Sequence, residues 1–462
     1  MRNRALFCLT MGAVSVMTTS GGCDRQTAPP LAGAKGEVRL MTLDPGHFHA
    51  ALVQKTMYEQ VSPTVYVYAP QGQDLQDHLG RIQGFNTRAA DPTAWVEKVY
   101  TGPDFLERMI QERPGNVVVI SGNNARKTDY ILRSVQAGLH CLADKPMVIS
   151  PEEFPLLEQA FAVARDKGVL LYDIMTERYE ITTVLQKELA QIPEVFGDLE
   201  EGTLEDPAVT KESVHHFYKS VAGSPLVRPA WFFDVRQQGE GMVDVSTHLV
   251  DLIQWECFPE QTLRKADVKV LSARRWPTTL APGQFKEATG LNEFPAFLKE
   301  GVQGGQLNVF SNGEMNYTIK GVHARVCVTW NYRAPEGAGD THKSVLRGTR
   351  SNLVIRQDKE EGYQPTLYVE ARGTGDIESP LNKAVAQTLQ ARYPGIGLRP
   401  LSQGRWRIEI PASFRVGHEA HFGQVTERFL GFLEQGRLPD WEVPNMIVKY
   451  YTTTEALRMA RR

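Results

Sequence analysis

The chain lacks any long run of basic residues, and its formal net charge is −3 over 462 residues. This balance gives no electrostatic footprint for nucleic acid, so we exclude nucleic acid as a partner. Cysteine is scarce, with five residues and no CxxC pair, so neither a disulfide framework nor a structural zinc site is expected. Cys141, Cys257 and Cys327 are expected to be buried free thiols. No metal is predicted.

The apolar run at residues 5–17 is too short to span a membrane and remain there. Arg2 and Arg4 precede it and Ser20-Gly21-Gly22-Cys23 follows, which resembles a bacterial lipoprotein signal peptide. We therefore expect a signal at 1–23, lipidation at Cys23, a flexible tether at 24–36, and a periplasmic or cell-surface protein that touches the membrane only through its lipid. Ser20 stands where such signals usually carry an aliphatic residue, so a plain secretory signal is the alternative.

A chain of this length exceeds what one hydrophobic core usually serves, so two domains are expected. Over residues 37–181, short apolar runs alternate with stretches of helical period. This alternation predicts an α/β domain with a Rossmann doubly wound parallel sheet. The predicted strands are at 38–43, 65–68, 116–120, 140–143 and 169–174, and the predicted helices at 50–58, 127–137 and 151–166.

From residue 182 to 462 the pattern predicts an α+β domain with a largely antiparallel open sheet. Its predicted strands are at 305–310, 314–319, 323–330, 344–348 and 353–357. Residues 373–415 are interpreted as an insertion with one helix near 383–392. Helices at 419–435 and 443–461 are expected to pack back on the first domain. The open sheet is a candidate surface for forming a homo-oligomer.

The first predicted strand ends at a turn where a Rossmann domain would hold a dinucleotide pyrophosphate on a helix N-terminus. Asp44 and His49 occupy the positions of the first and third glycines of the GxGxxG fingerprint, so a purely structural turn is the alternative. The second strand carries no acidic residue at its end, which leaves NAD and NADP undistinguished. The turn consists of Asp44-Pro45-Gly46-His47-Phe48-His49.

A second constellation joins Ala143-Asp144-Lys145-Pro146, at a predicted strand end, to the glycine-rich segment 239–251. Met242, Val245, Leu249 and Leu252 follow helical spacing and predict a helix with a buried face. Asp244, His248 and Asp251 then share a neighbouring face. The alternative is an ordinary solvated stripe beside an apolar one.

The order and spacing of 117–124, 137–146 and 239–251 resemble the glucose–fructose oxidoreductase, inositol dehydrogenase and MocA family. Asp144 replaces the glutamate of the family's usual Glu-Lys-Pro, and Glu240 replaces one glycine of its second motif. The resemblance covers residues 37–251 and continues more weakly through 347–355. It implies an oxidoreductase of an exported branch with its own C-terminal extension.

The resemblance also implies roles for single residues. His248 would remove the proton of a reacting hydroxyl, Lys145 would donate to its oxygen, and Asp244 would orient the imidazole or bind a neighbouring hydroxyl. Trp231 and Asp251 are the predicted substrate contacts, with core packing as the alternative for the Trp231 segment. Asn123, Asn124, His47 and His49 could equally be helix caps or packed turn residues. The predicted cofactor contacts are Asp44, Pro45, Gly46, His47, Phe48, Ser121, Gly122, Asn123, Asn124, Asp144 and Lys145.

The expected reaction is oxidation of a secondary hydroxyl of a sugar, glycoside or cyclic polyol. NAD is favoured over NADP, and we expect it to be tightly bound because free cofactor is scarce outside the cytoplasm. Two alternatives stay open at this point. One is a glycoside lyase or hydrolase that oxidises its sugar only transiently, and the other is a non-catalytic lipoprotein that binds glycans.

Overall fold

A computed structural model describes residues 31–221, 224–335, 337–373 and 375–462. The predicted signal at 1–23, including Cys23, and the first part of the predicted tether lie outside the described residues. Within these ranges, no helix is both long and apolar enough to cross a membrane. Cys141, Cys257 and Cys327 are free thiols, but of the three only Cys141 is fully buried, whereas the sequence predicted burial of all three.

The first domain is built on a parallel six-stranded sheet with the order β3-β2-β1-β4-β5-β6, which confirms the Rossmann prediction. The central strands are buried on both faces, and this explains their continuous apolar runs. The strands are β1 (Leu40–Leu43), β2 (Thr64–Tyr68), β3 (Val96–Tyr100), β4 (Val117–Ile120), β5 (His140–Asp144) and β6 (Leu171–Ile174). The helices are α1 (His49–Leu52), α2 (Gln73–Thr87), α3 (Phe105–Glu112), α4 (Lys127–Gln136) and α5 (Phe154–Lys167).

Four elements of this domain differ from the prediction. Helices α2 and α3 and strand β3 have no predicted counterpart, and α1 is shorter than expected. The edge strand β3 is mostly exposed, so its sequence lacks the apolar run that marks the buried strands. The helix expected at 50–58 is only the short α1, which ends at Leu52. Beyond Leu52, the indole N–H of Trp95 donates a hydrogen bond to the main-chain carbonyl of Gln54, and the guanidinium of Arg88 donates to that of Lys55. These carbonyls are therefore engaged by tertiary contacts.

The second domain carries a ten-stranded sheet in which only the β13–β7 pair is parallel among the described strands, so the antiparallel prediction is confirmed. The strand order is β10-β12-β13-β7-β14-β15-β16-β18-β17, with β11 paired to β12. The strands are β7 (Val209–Tyr218), a small pair β8 (Ser220–Val221) and β9 (Ser224–Pro225), β10 (Val268–Leu280), β11 (Val302–Gln303), β12 (Gln306–Ile319), β13 (Val322–Arg333), β14 (Thr341–Arg347), β15 (Ser351–Gln357), β16 (Thr366–Ala371), β17 (Gly397–Ser402) and β18 (Arg405–Glu409).

The segment at 373–415 extends this sheet rather than forming an irregular insertion. Its hairpin of β17 and β18 adds the outermost strands, because β18 pairs with β16. The two strands expected at 305–310 and 314–319 are one long strand, β12. The helices of this domain are α6 (Ile181–Ala190), α7 (Ser246–Cys257), α8 (Pro282–Thr289) and α9 (Glu378–Lys383), which continues through a π-helical turn into α10 (Gln390–Arg392).

The chain ends in two helices, α11 (His418–Gln435) and α12 (Glu442–Ala460), which pack on the first domain as expected. Phe422, Phe429 and Phe432 of α11 belong to the same apolar core as the parallel sheet. Met446 and Tyr450 of α12 join them. The last helices therefore fasten the second domain to the first.

A buried network of charged side chains reinforces the contact between the two domains. It includes Asp251, which the sequence predicted as a substrate contact. Arg178 donates to both carboxylate oxygens of Asp251 at 2.7 Å, and Lys449 on α12 donates to Oδ1 at 2.8 Å. Lys449 also pairs with Asp173 on β6 at 2.6 Å, and Arg178 with Glu442 at 2.8 Å. Because both of its oxygens are taken and it is buried, Asp251 has a structural role instead.

We expect Asp251→Asn to lower the free energy of unfolding by about 3–5 kcal/mol, because Arg178 and Lys449 would lose their buried counter-charge. Urea unfolding measures this loss. The control Asp166→Ala breaks an exposed pair with Arg165 and should cost at most about 1 kcal/mol. Equal stability of the two variants would contradict the structural role of Asp251.

The same network predicts an acid sensitivity. Burial raises the pKa of Asp251, but Arg178 and Lys449 outweigh burial and hold that pKa below its ordinary value. The carboxylate therefore stabilises the fold above its unfolded pKa of about 3.9, and this contribution is lost as the pH falls towards its folded pKa. Asp251→Asn should lack this part of the acid dependence.

Candidate active site

Strand β1 leads into a tight turn that is held in place by other residues of the first domain. Asp44 has a positive φ of 48°, and Tyr130 on α4 donates to its carboxylate at 2.8 Å. Burial raises the pKa of Asp44 against the lowering effect of Tyr130 and Arg126. Since α1 has only four residues, the helix N-terminus that we expected beneath a pyrophosphate is not developed.

Two glycines let this turn touch the neighbouring turn after β4 backbone to backbone. A Cβ atom on Gly122 would lie 2.2 Å from the carbonyl oxygen of Asp44 and 2.7 Å from the amide nitrogen of Gly46. A Cβ atom on Gly46 would lie 3.0 Å from a carboxylate oxygen of Asp74 and 3.4 Å from the ring of Trp231. Larger side chains at these two positions would push the turns apart.

A cleft of about 290 Å³ opens beside this turn, at the carboxyl ends of β1 and β2. In an open α/β sheet, ligands bind at this edge of the strands. Asp74, at the start of α2, supplies the acidic group that the end of β2 lacks. The cleft is lined by Asp44, Pro45, Ala69, Pro70, Gln71, Gly72, Gln73, Asp74 and Leu75.

Trp231 crosses from the second domain to the wall of this cleft. Its indole nitrogen donates to a carboxylate oxygen of Asp74 at 2.9 Å, and its ring covers Gly46. Burial raises the pKa of Asp74, while the bond from Trp231 lowers it. Trp231 therefore fixes Asp74, one lining residue of the cleft, from the second domain, and its predicted contact with the substrate stays a prediction.

Asn123 and Asn124 also join the two domains. The Asn123 side chain caps the following helical turn by accepting from the amide of Ala125 at 3.0 Å, and it donates to Gln237 at 2.6 Å. Asn124 donates to the main-chain carbonyl of Gln238 at 2.7 Å. These bonds favour the capping interpretation over direct cofactor contact.

Lys145 and Asp244 form an ion pair across the domain boundary. The Lys145 ammonium lies 2.7 Å from Asp244 Oδ1, and Gln238 donates to Asp244 Oδ2 at 3.0 Å. Burial lowers the pKa of Lys145, but Asp244 and then Asp144 outweigh burial and raise it. The ammonium is therefore protonated at neutral pH. Helix α7 begins only at Ser246, so Asp244 lies in the preceding turn and reaches the lysine rather than the imidazole of His248.

His248 presents an imidazole with an unused nitrogen. Its Nδ1 is buried and has no hydrogen-bond partner among the described residues. Burial, followed by the charges of Lys145 and His418, lowers the pKa of His248 well below its ordinary value, against the opposing effect of Asp251 and Asp144. The imidazole is therefore neutral at neutral pH and can accept a proton or a hydrogen bond.

Asp144 is buried beneath this pair and is held by the first domain. Ser121 donates to its Oδ2 at 3.0 Å, and His49 Nδ1 lies 2.9 Å from the same oxygen. Burial alone would raise the pKa of Asp144, but His49 and Lys127 hold it well below the ordinary value. Asp144 is therefore an ionised carboxylate. The ring of His47 contacts Phe48 at a tilt and meets the ring of His49 edge-on. The side chains in the second half of the turn therefore pack against one another.

Sequence reasoning missed two residues of this site. Glu177, in a short 3₁₀ turn after β6, lies close enough to interact electrostatically with Lys145. Burial and then Glu180 raise the pKa of Glu177 to about 7. His418 is the first residue of α11, and its ring centroid lies 5.1 Å from that of His49. Neither residue stands in a motif, because the packing of the 3₁₀ turn brings Glu177 here and the packing of α11 brings His418.

A comparison with protein-family models matches residues 185–461 to the family described as "Putative oxidoreductase C terminal domain". This match spans more than half of the chain. The chain belongs to this oxidoreductase family. It is an oxidoreductase of the glucose–fructose oxidoreductase, inositol dehydrogenase and MocA type, as its motifs indicated. No curated protein matches it.

The oxidoreductase is also similar to solved structures over most of its length. A "putative oxidoreductase" from Parabacteroides merdae is 56% identical, with a TM-score of 0.92 over 94% of this chain and 99% of that chain. GenD2 from gentamicin A biosynthesis, solved with NAD, is 16% identical, with a TM-score of 0.53 over 92% and 94%. KijD10, a 3-ketoreductase from Actinomadura kijaniata solved with NADP, is 13% identical, with a TM-score of 0.52 over 90% and 95%. The last two share the fold.

Proposed function

We propose that this oxidoreductase oxidises a secondary hydroxyl of a sugar, glycoside or cyclic polyol with a nicotinamide dinucleotide as the hydride acceptor. The observation that carries the proposal is the protonated Lys145, fixed by Asp244, close enough to a neutral His248 for the ammonium to lower the pKa of the imidazole. A hydrogen-bond donor next to a proton acceptor is what the oxygen of a reacting alcohol requires.

The residues at the edge of the sheet fit a dinucleotide. The cleft beside Asp44 and Pro45 suits its adenosine half, with Asp74 placed to accept from a ribose hydroxyl. Gly46 and Gly122 bring two backbone turns together, and such turns can approach a pyrophosphate closely. The fold is shared with proteins solved with NAD and NADP, which supports the cofactor class. NAD is our preferred form.

When bound, the dinucleotide would supply the hydride acceptor. Lys145 would donate a hydrogen bond to the substrate oxygen and lower the cost of its negative charge. His248 would take the hydroxyl proton on its imidazole. Because burial makes this imidazole a weak base, proton removal would depend on the neighbouring ammonium. Asp244 would act by positioning Lys145, since its carboxylate oxygens bind Lys145 and Gln238.

A polyhydroxylated substrate suits the polar groups around this centre. Lys145, Asp244 and Gln238 come from both domains, and Glu177 adds a carboxyl group that is half protonated near neutral pH. Several such groups converging on one position suit a ring with adjacent hydroxyls. KijD10, a 3-ketoreductase of the same fold, supports a sugar-like substrate and a ring carbon such as C3.

We expect Lys145→Met and His248→Gln each to lower kcat for a reactive glycoside by about a hundredfold or more, because each removes a group from the reacting oxygen. Nicotinamide absorbance in stopped-flow measurements reports the rate. The controls are Lys343→Met on β14 and His323→Gln on β13, neither of which belongs to the site described above. Thermal melts verify folding, and a folded variant with near-normal kcat would remove that residue from the catalytic set.

We also propose that the dinucleotide is retained during turnover, because Trp231 fixes Asp74 in the wall of the cleft through its hydrogen bond. Protein purified without added cofactor should release about one dinucleotide per chain on denaturation, measured by absorbance and mass. Trp231→Phe removes the N–H donor and the part of the ring next to Gly46, and should raise the dissociation rate about tenfold. Trp276→Phe on β10 is the control and should retain the cofactor. Wild-type protein that is empty and binds only weakly would contradict retention.

A further inference from the structure

The turn after β1 carries two histidines that the proposed hydride transfer does not use. His49 Nδ1 lies 2.9 Å from Asp144 Oδ2, and His47 Nδ1 lies 3.7 Å from the same oxygen. One donor atom from each of the three residues lies within 4.8 Å of the others. Their side chains are only 22%, 10% and 6% exposed for His47, His49 and Asp144, so the three groups converge inside the protein.

We propose that His47, His49 and Asp144 bind one divalent transition-metal ion. Two imidazole nitrogens and one carboxylate oxygen form a ligand set typical of zinc and non-haem iron centres that keep a position open for water or substrate. Metal–ligand bonds of about 2.0–2.2 Å place tetrahedral donor atoms roughly 3–3.5 Å apart. The two separations from Asp144 Oδ2 bracket this range, and all three donor atoms lie within 4.8 Å of one another, so the side chains would close around the ion as it binds.

The surroundings hold the three groups in place. Ser121 donates to Asp144 Oδ2 at 3.0 Å, and Lys127 donates to the main-chain carbonyl of Asp144 at 3.0 Å. Phe422 packs on the ring of His49 with centroids 4.4 Å apart. His47 Nδ1 accepts only a long bond of 3.4 Å, from the amide of His49, so its lone pair is weakly engaged. Such outer contacts orient metal ligands before the ion arrives.

The local charges restrict which ion can bind. Lys127 and Lys145 carry positive charge near the cluster, and Asp144 and Asp244 balance them. A further cation is therefore not attracted by net charge and must be bound through the imidazoles. A single carboxylate is a poor site for Ca²⁺ or Mg²⁺, which require several oxygen ligands. The cluster thus favours ions such as Zn²⁺ and Co²⁺.

An ion at this position would lie next to the proposed reaction centre, because Asp144 directly precedes Lys145 in the chain. It could polarise a substrate oxygen through its open position. The binding itself does not depend on the identity of the substrate or on hydride transfer. Metal binding can therefore be tested separately from activity.

The test uses the purified, tag-free chain after treatment with a chelator and its removal. Zn²⁺ is titrated in competition with a chromophoric chelator, and Co²⁺ binding is followed by its visible spectrum. We expect one ion per chain and a Co²⁺ spectrum typical of nitrogen ligands. Binding should be at least about a hundredfold weaker in His47→Gln and His49→Gln, since removing a ligand should cost more than the roughly 10- to 100-fold effect of removing a residue that only holds a ligand in place.

The control is Asp358→Asn, which disrupts an exposed acidic group of Asp358, Glu360 and Glu361, the other set of three candidate ligands found in the described residues. This variant should keep the wild-type affinity for Zn²⁺. Circular dichroism verifies folding, and His47→Gln, at the more exposed of the two histidines, decides the test if His49→Gln unfolds. A wild-type chain that binds no Zn²⁺ or Co²⁺, or a folded His47→Gln with unchanged binding, would overturn the proposal.

Discussion

The ion pair between Lys145 and Asp244 is the interaction on which the proposed active site depends. Lys145 follows the last residue of β5 in the nucleotide domain, whereas Asp244 comes from the second domain. Because both side chains are largely buried, either one alone would be an uncompensated charge in a poorly hydrated place. The pair therefore fixes the position of the ammonium and holds the two domains in one arrangement.

Other contacts between the domains serve the same arrangement. Trp231 donates a hydrogen bond to Asp74, and Asn124 donates one to the main chain of Gln238; both contacts lie near the turn after β1. Gln238 also donates to Asp244, so the contact that joins the domains continues into the reactive pair. The C-terminal helix α12 adds Lys449, whose charge is shared between Asp173 of the first domain and Asp251 of α7. A small movement of one domain relative to the other would therefore change the position of the Lys145 ammonium.

The sequence predicted the parts of the fold whose signals are local. Buried parallel strands such as β4 and β5 carry continuous apolar runs, and the alternating pattern of β13 and of the second half of β12 marks a sheet with one solvent-exposed face. It did not reveal β3, which is an exposed edge strand, or the early end of α1, which depends on Trp95 and Arg88 capturing carbonyls from elsewhere in the domain. These features follow from tertiary contacts, which no local pattern records.

The candidate site shows the same division. Lys145, Asp244 and His248 stand in motifs, and the structure gathers them. Asp251 belongs to the same motif, but it lies about one turn further along α7 than His248, where it binds Arg178 and Lys449. Glu177 and His418 have no motif and reach the site through the packing of the 3₁₀ turn and α11. Sequence spacing could show which residues lie near each other, but not which face the cleft.

We propose that a hydride passes from a sugar carbon to a nicotinamide ring at Lys145 and His248. Isotope transfer tests this step most directly: the protein, loaded with NAD, is incubated with a panel of glycosides that carry deuterium at C3, and the dinucleotide is recovered for mass analysis. We expect reduced dinucleotide that contains one deuterium with the wild-type protein and almost none with His248→Gln. Turnover of the glycosides without deuterium in the dinucleotide would contradict it.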